Sequence, residues 1–403
     1  MDYESIVCDV NHLYDAYLAS INGSKWKEST QSFMLHFLKY LFKLKDDLKN
    51  RTYENSVAVT FDIFERGHLR SITSIPPRDR IVRHVLCDDI FMPEIRKRII
   101  YDNGASLKGR GIDFQRRRFE VHLRRYYRQY GNDGWILFGD FSKFYDNIIH
   151  AIAKLQLLDL VDDDEFVSWL LDIIFKAFEI DVSELSDDEI ETLFFGVFDK
   201  NKFKASDKVS TNSKRFMAKS VNIGDQLSQL IGIYYPNRID TYVKYVRSQK
   251  FYGRYMDDWY VMNPSKEILE DILSEITKIA DSLGIHINHK KTRIVKMSSR
   301  FKFLQIRYTI TKTGKIIKRI NPKRVTVMRR KLKKLAVMVD TGIISYHETV
   351  ENMFKGWMGS YRKLLSAKQK RNMIDLFETL FCKSVKVVGK KMIISDRYIT
   401  EAA

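Results

Sequence analysis

The chain has 403 residues, 44% hydrophobic, 30% charged and 13% aromatic, enough for a large core and two or three subdomains. Its 69 Lys and Arg against 51 Asp and Glu leave a charge of +18, which points to a polyanionic partner, nucleic acid before membrane surface. No apolar run approaches the length of a spanning helix. The first residues lack the basic and apolar regions of a signal peptide, and Cys8, Cys87 and Cys382 have no metal-ligand spacing, so they read as reduced thiols of a cytoplasmic protein.

Residues 1–50 read as helical: in 33–44 apolar positions recur at three and four with Lys on the other face. Residues 56–64 alternate with period two, and with Gly67 they predict a hairpin carrying Arg66 and Arg70. Residues 75–86 predict a turn and a helix with Pro77 near its start, followed on the chain by Arg78 and Arg80. In 106–111, glycines flank Lys108 and Arg110, a loop suited to close approach of phosphates or simply a basic loop. The helix predicted over 114–130 interleaves arginines with aromatics, fit for template phosphates or for a solvated face.

Trp135-Ile136-Leu137-Phe138-Gly139 is an apolar run that puts Asp140 at the end of a buried strand. Tyr145 follows five residues on. Residues 150–219 are helix-leaning, first acidic and then basic near 200–219, and read as an insertion. In 221–230 a turn containing Gly224 feeds a helix. Residues 251–262 read as two short strands with Asp257 and Asp258 at the turn between them. Two adjacent carboxylates repel and lose hydration when buried, so a cation is expected between them; Mg²⁺ held by carboxylates and substrate phosphates suits. The plain alternative is a solvated Asp-Asp turn. An amphipathic helix is predicted over 266–282, and helices from Pro322 onward, the first rich in basic residues that include Arg329 and Arg330.

The tetrad Tyr255-Met256-Asp257-Asp258 resembles the polymerase hairpin of reverse transcriptases, and other motifs of that family follow the same order. Residues 75–86 resemble the "Pro-x-x-Arg-Asp-Arg-Ile-Val" block, 108–111 the "Lys-Gly-x-Gly" block, 283–292 the "Leu-Gly-x-x-x-Asn-x-x-Lys-Thr" block and 301–305 the primer-grip hairpin, with Gln305 in place of its glycine. In 223–229, Ile223 and Gly224 followed by Ser228 and Gln229 resemble diversity-generating retroelement, defence-associated and abortive-infection enzymes, themselves related to group II intron and retron enzymes.

The resemblance implies an α+β right-hand polymerase: an N-terminal helical region at 1–50, fingers at 51–134, a palm with an antiparallel sheet at 135–310 (insertion about 150–219), and a small helical thumb with C-terminal helices at 311–403. It implies an RNA-directed DNA polymerase that uses dNTPs and two Mg²⁺, with Mn²⁺ able to substitute. Asp140, Asp257 and Asp258 are the implied catalytic metal ligands, and Lys291 the general acid toward pyrophosphate. Arg66, Arg70, Tyr145, Ile223, Gly224, Ser228 and Gln229 are implied to bind the nucleotide, with Tyr145 excluding a 2′-hydroxyl. Arg78, Arg80, Lys108, Arg110, Arg329 and Arg330 are implied to bind nucleic acid. The implied partners are an RNA template, the DNA product and a cognate non-coding RNA, with an accessory protein or a homo-oligomer left open and no membrane. The role implied is antiphage defence or diversity generation. A template-independent DNA polymerase and a catalytically silent RNA-binding module are the alternatives.

Overall fold

Asp9 opens the first long helix, Val10–Ile21, by accepting hydrogen bonds from the N–H groups of Asn11 and His12 at 2.7 and 3.2 Å. Helices Glu28–Leu35 and Phe37–Lys49 follow, the latter burying Leu41, Leu44 and Leu48 as the spacing requires. The computed structural model describes residues 2–65, 68–203, 214–389 and 391–397. Within it the chain divides into two units, residues 1–126 with 134–294, and residues 127–133 with 295–403. No helix among the described residues is long and apolar enough to cross a membrane.

In the first unit, strands Val59–Glu65 and His68–Ser74 form the expected antiparallel hairpin, with Ile63 opposite Arg70 and Phe61 opposite Ile72. The helix Pro77–His84 has Pro at its first position, where a missing N–H is harmless. A four-stranded sheet takes the order Arg293–Lys296, Trp135–Gly139, Asp258–Asn263, Tyr252–Tyr255. Antiparallel pairing sets Leu137 opposite Val261 and Gly139 opposite Trp259. A Cβ on Gly139 would lie 2.0 Å from the buried Trp259 ring, so glycine there lets the indole cross the strand just before Asp140. The helix Lys266–Ser282, capped by Ser265, buries Leu269, Ile272, Ile276 and Ala280.

Residues 150–219 divide between two cores. Helices His150–Leu158 and Glu165–Lys176 contribute Ala153, Leu157, Val167, Leu170, Leu171 and Ile174 to the main core. Only the chain around Ile180, Val182, Phe198 and Met217 forms a satellite core of its own, with helix Asp187–Phe195 held by a Ser186/Glu189 capping box.

The second unit has a three-stranded antiparallel sheet, Phe301–Phe303, Ile306–Ile310 and Ile316–Ile320. Leu304 and Gln305 both take positive φ, 41° and 72°, so the two-residue hairpin turn forms without the expected glycine. Helices Pro322–Asp340, Asn352–Tyr361 and Ala367–Phe381 follow. The C-terminus is not all helical: Lys383–Val388 and Lys391–Asp396 pair as an antiparallel hairpin. Charge is divided sharply along the chain. Residues 295–403 hold 26 Lys and Arg against 7 Asp and Glu, whereas residues 1–294 hold 43 against 44.

Candidate active site

The strand Trp135–Gly139 delivers Asp140 to the sheet end as a buried carboxylate. Its oxygens accept from the Lys291 ammonium at 3.0 Å each and from the Asn288 amide at 3.0 Å, while its carbonyl accepts from the Asn288 N–H at 2.8 Å. Asp257 stands in the turn between Tyr252–Tyr255 and Asp258–Asn263, which Met256 closes with a φ of 55°. Burial, and then the like charge of Asp140, push its carboxyl up to about 6, against the weaker pull of Lys291 and Arg70. Burial opposes ionisation of Lys291, but the Asp140 bond and the charges of Asp140, Asp257 and Asp258 outweigh it and hold its pKa above the ordinary lysine value.

These residues therefore share one electrostatic site. Among the described residues no three acidic, His or Cys groups converge at metal-ligating spacing, and Asp140 is turned onto Lys291 and Asn288. The donor set nonetheless suits a hard divalent ion: burial and the like charge of Asp140 raise the Asp257 carboxyl, which therefore lacks positive charge, and oxygen ligands are what such ions take.

The turn is braced by a pair that the sequence reading missed. Arg254 and Asp240 are fully buried, with the guanidinium on the carboxylate at 2.6–3.1 Å and the Tyr252 hydroxyl donating to Asp240 at 2.5 Å. Arg254 also donates to the carbonyls of Ile233 at 2.7 Å, Met256 at 3.2 Å and Gly232 at 3.5 Å. Gly232 and Ile233 lie at the end of the helix Gln226–Tyr234, and the residue four beyond Gly232 is Pro236, which has no N–H to offer. One guanidinium thus caps a helix C-terminus and fastens the turn that carries Asp257. The signal in the sequence was an Arg on the inward face of a strand, alternating with buried Tyr252.

Tyr145 packs against the same helix. A Cβ on Gly232 would meet its hydroxyl at 2.8 Å, and that hydroxyl donates to the Met256 sulfur at 3.7 Å. Burial and the nearby Asp257 charge raise the Tyr145 pKa. The Ile223 carbonyl accepts from the Thr73 N–H at 3.0 Å, and a Cβ on Gly224, whose φ is 111°, would lie 2.8 Å from the Thr73 carbonyl. The turn at 223–224 is therefore laced to the hairpin that carries Arg70. Ser228 is buried with no protein partner for its hydroxyl, and Gln229 is exposed.

Among the basic residues, Arg66 lies outside the described residues, and Arg70 is exposed within electrostatic reach of Asp257. Arg78 and Arg80 are both engaged within the protein. Arg78 binds Asp47 at 2.7 Å and the Glu54 carbonyl at 2.9 Å over the Tyr53 ring, and Arg80 binds the Ser20 carbonyl, Ser24 and Thr30 at 3.0–3.3 Å. Nearby, buried Arg83 joins Tyr53 and Asn55 to Asp225, which caps the helix Gln226–Tyr234. This block fastens the N-terminal helices to the site's floor. Arg110 donates to the carbonyls of Asn103 and Tyr101 at 2.8 and 3.1 Å, while Lys108 is exposed. In the second unit, Arg329 and Arg330 are exposed on a helix whose Met328, Leu332, Leu335 and Ala336 face inward.

Residues 67–308 match the family model described as reverse transcriptase (RNA-dependent DNA polymerase). No curated protein matches the sequence. A telomerase from Candida albicans, solved in complex with a TWJ fragment of telomeric RNA, is similar at 13% identity with a TM-score of 0.46, over 82% of this chain and 57% of that one. The chain thus spans little more than half of that protein's length.

Proposed function

Because this chain belongs to the reverse transcriptase (RNA-dependent DNA polymerase) family, we propose that it is an RNA-directed DNA polymerase that copies a structured non-coding RNA into cDNA in antiphage defence or a diversity-generating retroelement. The observation that carries the chemistry is the Asp257 carboxyl, raised by burial and by the like charge of Asp140, beside the Lys291 that binds Asp140 at 3.0 Å. The form of the 223–229 segment supports the subtype, and three free cysteines accord with a reducing cytoplasm.

Reverse transcriptases use divalent metal ions; here we assign Mg²⁺, with Mn²⁺ able to substitute, to Asp140, Asp257 and Asp258, where such ions would activate the primer 3′-hydroxyl and neutralise charge on the leaving pyrophosphate. Lys291, held protonated by the carboxylates, supplies a proton to that pyrophosphate. Arg70 binds the triphosphate. Tyr145, backed by Gly232, closes on the sugar 2′ carbon and excludes a hydroxyl. The positive second unit binds nucleic-acid backbone, consistent with its excess of Lys and Arg. Partners beyond template, product and dNTPs are a cognate non-coding RNA and an accessory protein or second copy.

Replacing Asp257 and Asp258 by Asn tests the chemistry. Primer extension should fall by several orders of magnitude with RNA binding retained, since binding comes from the basic surface. An extending double variant sinks the assignment. Synthesis by the wild type from all four dNTPs without RNA would favour a template-independent polymerase instead.

A further inference from the structure

The satellite core sends one short segment back onto the site. Phe198 pairs through its backbone with the Asn147 side chain, its N–H donating to Oδ1 at 2.8 Å and its carbonyl accepting from Nδ2 at 3.0 Å. The Asp199 carboxylate holds the Lys143 ammonium at 3.0 Å. The Lys200 N–H donates to the buried Asp146 carboxylate at 3.2 Å, and its ammonium donates to Asn222 Oδ1 at 2.7 Å. Three successive residues thus grip positions 143, 146 and 147 around Tyr145, and the last also reaches the residue before Ile223.

Tyr145 itself is tied at the backbone, its carbonyl accepting from the Val221 N–H at 3.0 Å. Lys143 adopts the left-handed conformation, φ 46°, a conformation that persists where surrounding contacts over-determine it. Asn147 supplies some of those contacts by donating to the Lys143 carbonyl at 2.9 Å. Lys200 is half-buried, and burial lowers its pKa against the favourable charge of Asp146. An ammonium taken out of water needs a fixed partner. Here that partner belongs to the opposite loop of the nucleotide site.

We propose that Lys200 is a positioning residue for sugar selection: it bridges the loop that bears Tyr145 to the turn at Asn222–Gly224 and fixes the gap through which a deoxynucleoside triphosphate, but not a ribonucleoside triphosphate, fits. The proposal rests on Tyr145 being the gate. Steric exclusion of one hydroxyl depends on sub-ångström placement, so slack between the two loops acts on discrimination before it acts on chemistry.

Single-nucleotide incorporation on an RNA template, with dNTP and rNTP, tests this in the wild type, Lys200→Met, Lys200→Arg, Tyr145→Ala and the Lys200→Met/Tyr145→Ala double variant, beside thermal melting. Lys200→Met should lower the dNTP-over-rNTP ratio of kcat/KM by roughly 2- to 150-fold, the range for residues that couple through a shared contact. Lys200→Arg should restore most of it, and Lys200→Met should add nothing in the Tyr145→Ala background.

A lowered melting temperature with an unchanged ratio overturns the proposal, as does a full additional loss in the double variant. If Tyr145→Ala shifts the ratio and Lys200→Met does not, the gate stands and the positioning role falls. If Tyr145→Ala leaves the ratio alone, the gate falls and this proposal with it. Should Lys200→Met fail to fold, Asn222→Ala cuts the same bridge from its other end, and an unchanged ratio there overturns the inference equally.

Discussion

Removing either member of the Arg254–Asp240 pair should damage the protein unequally. Asp240→Asn keeps the shape but leaves a buried guanidinium without its counter-charge; breaking a buried pair in this way costs about 3–5 kcal/mol. The guanidinium that remains still donates to the carbonyls of Ile233, Met256 and Gly232, so those acceptors stay satisfied. Arg254→Met leaves a buried carboxylate that keeps the Tyr252 hydroxyl, and takes its donor from the carbonyls of Gly232 and Met256 while Ile233 keeps only a 3.5 Å bond from Asn103, adding about 1–3 kcal/mol for acceptors left unpaired. The sum approaches the whole stability of many domains, about 5–15 kcal/mol. Denaturant midpoints should therefore rank wild type above Asp240→Asn and that above Arg254→Met, with Arg254→Met recovered largely unfolded. Asp240→Asn should fold yet extend primers more slowly, because the Met256 carbonyl is held by a guanidinium no longer oriented from behind. If Arg254→Met proves no less stable than Asp240→Asn, the helix-capping and turn-bracing role of Arg254 is refuted.

Tyr145→Ala should raise rNTP use relative to dNTP use by roughly 30- to 1000-fold, about 2–4 kcal/mol in the ratio of kcat/KM; a destabilised variant with unchanged discrimination would make Tyr145 a core aromatic only. Arg329→Ala with Arg330→Ala should weaken binding to template–primer duplex uniformly across sequences and flatten the plot of log affinity against log salt by about one to two in slope, and an unaltered slope would remove both from the binding surface. His150 is buried and donates through Nε2 to the Ser220 carbonyl at 2.6 Å, with burial first and Lys200 also pressing its pKa down to about 4. The unfolded chain therefore takes up this proton first. Stability should be lost as pH falls from about 6.5 toward 4, by up to about 1.4 kcal/mol per pH unit. His150→Gln should show a shallower acid slope than wild type, and equal slopes would contradict the assignment.

The carboxylates proposed as catalytic could be picked out because each sits where local pattern changes: Asp140 ends an apolar run, and Asp257 and Asp258 interrupt paired alternation. What was not legible depends on partners distant in the chain. Asp240 belongs to the helix Asn237–Thr241, whose pattern gives no hint that Arg254 lies on it. Arg78 and Arg80 carry the expected motif, but Asp47, Tyr53 and Ser20 lie upstream in segments read only as helix or linker. Residues 150–219 read as an insertion, and nothing in their local pattern told that the apolar face of Phe166, Leu170 and Ile174 joins the main core. The C-terminal hairpin failed for another reason: its strands are short, basic and mostly exposed, so period-two alternation hardly separates them from the preceding helix.

The uneven division of charge has a consequence for movement. Contacts to phosphates repeat identically with every nucleotide step and carry no sequence information. If residues 295–403 bind nucleic-acid backbone as proposed, this polycation would grip a duplex with the same strength in every register. Advancing by one nucleotide exchanges each phosphate for its neighbour at no net change in free energy. The near-neutral remainder of the chain adds little pull of its own along the strand. Direction must then come from the chemistry, each incorporated nucleotide and departing pyrophosphate acting as the pawl on an otherwise unbiased slide. Raising salt should accordingly shorten the run of each binding event while leaving the time per step unchanged.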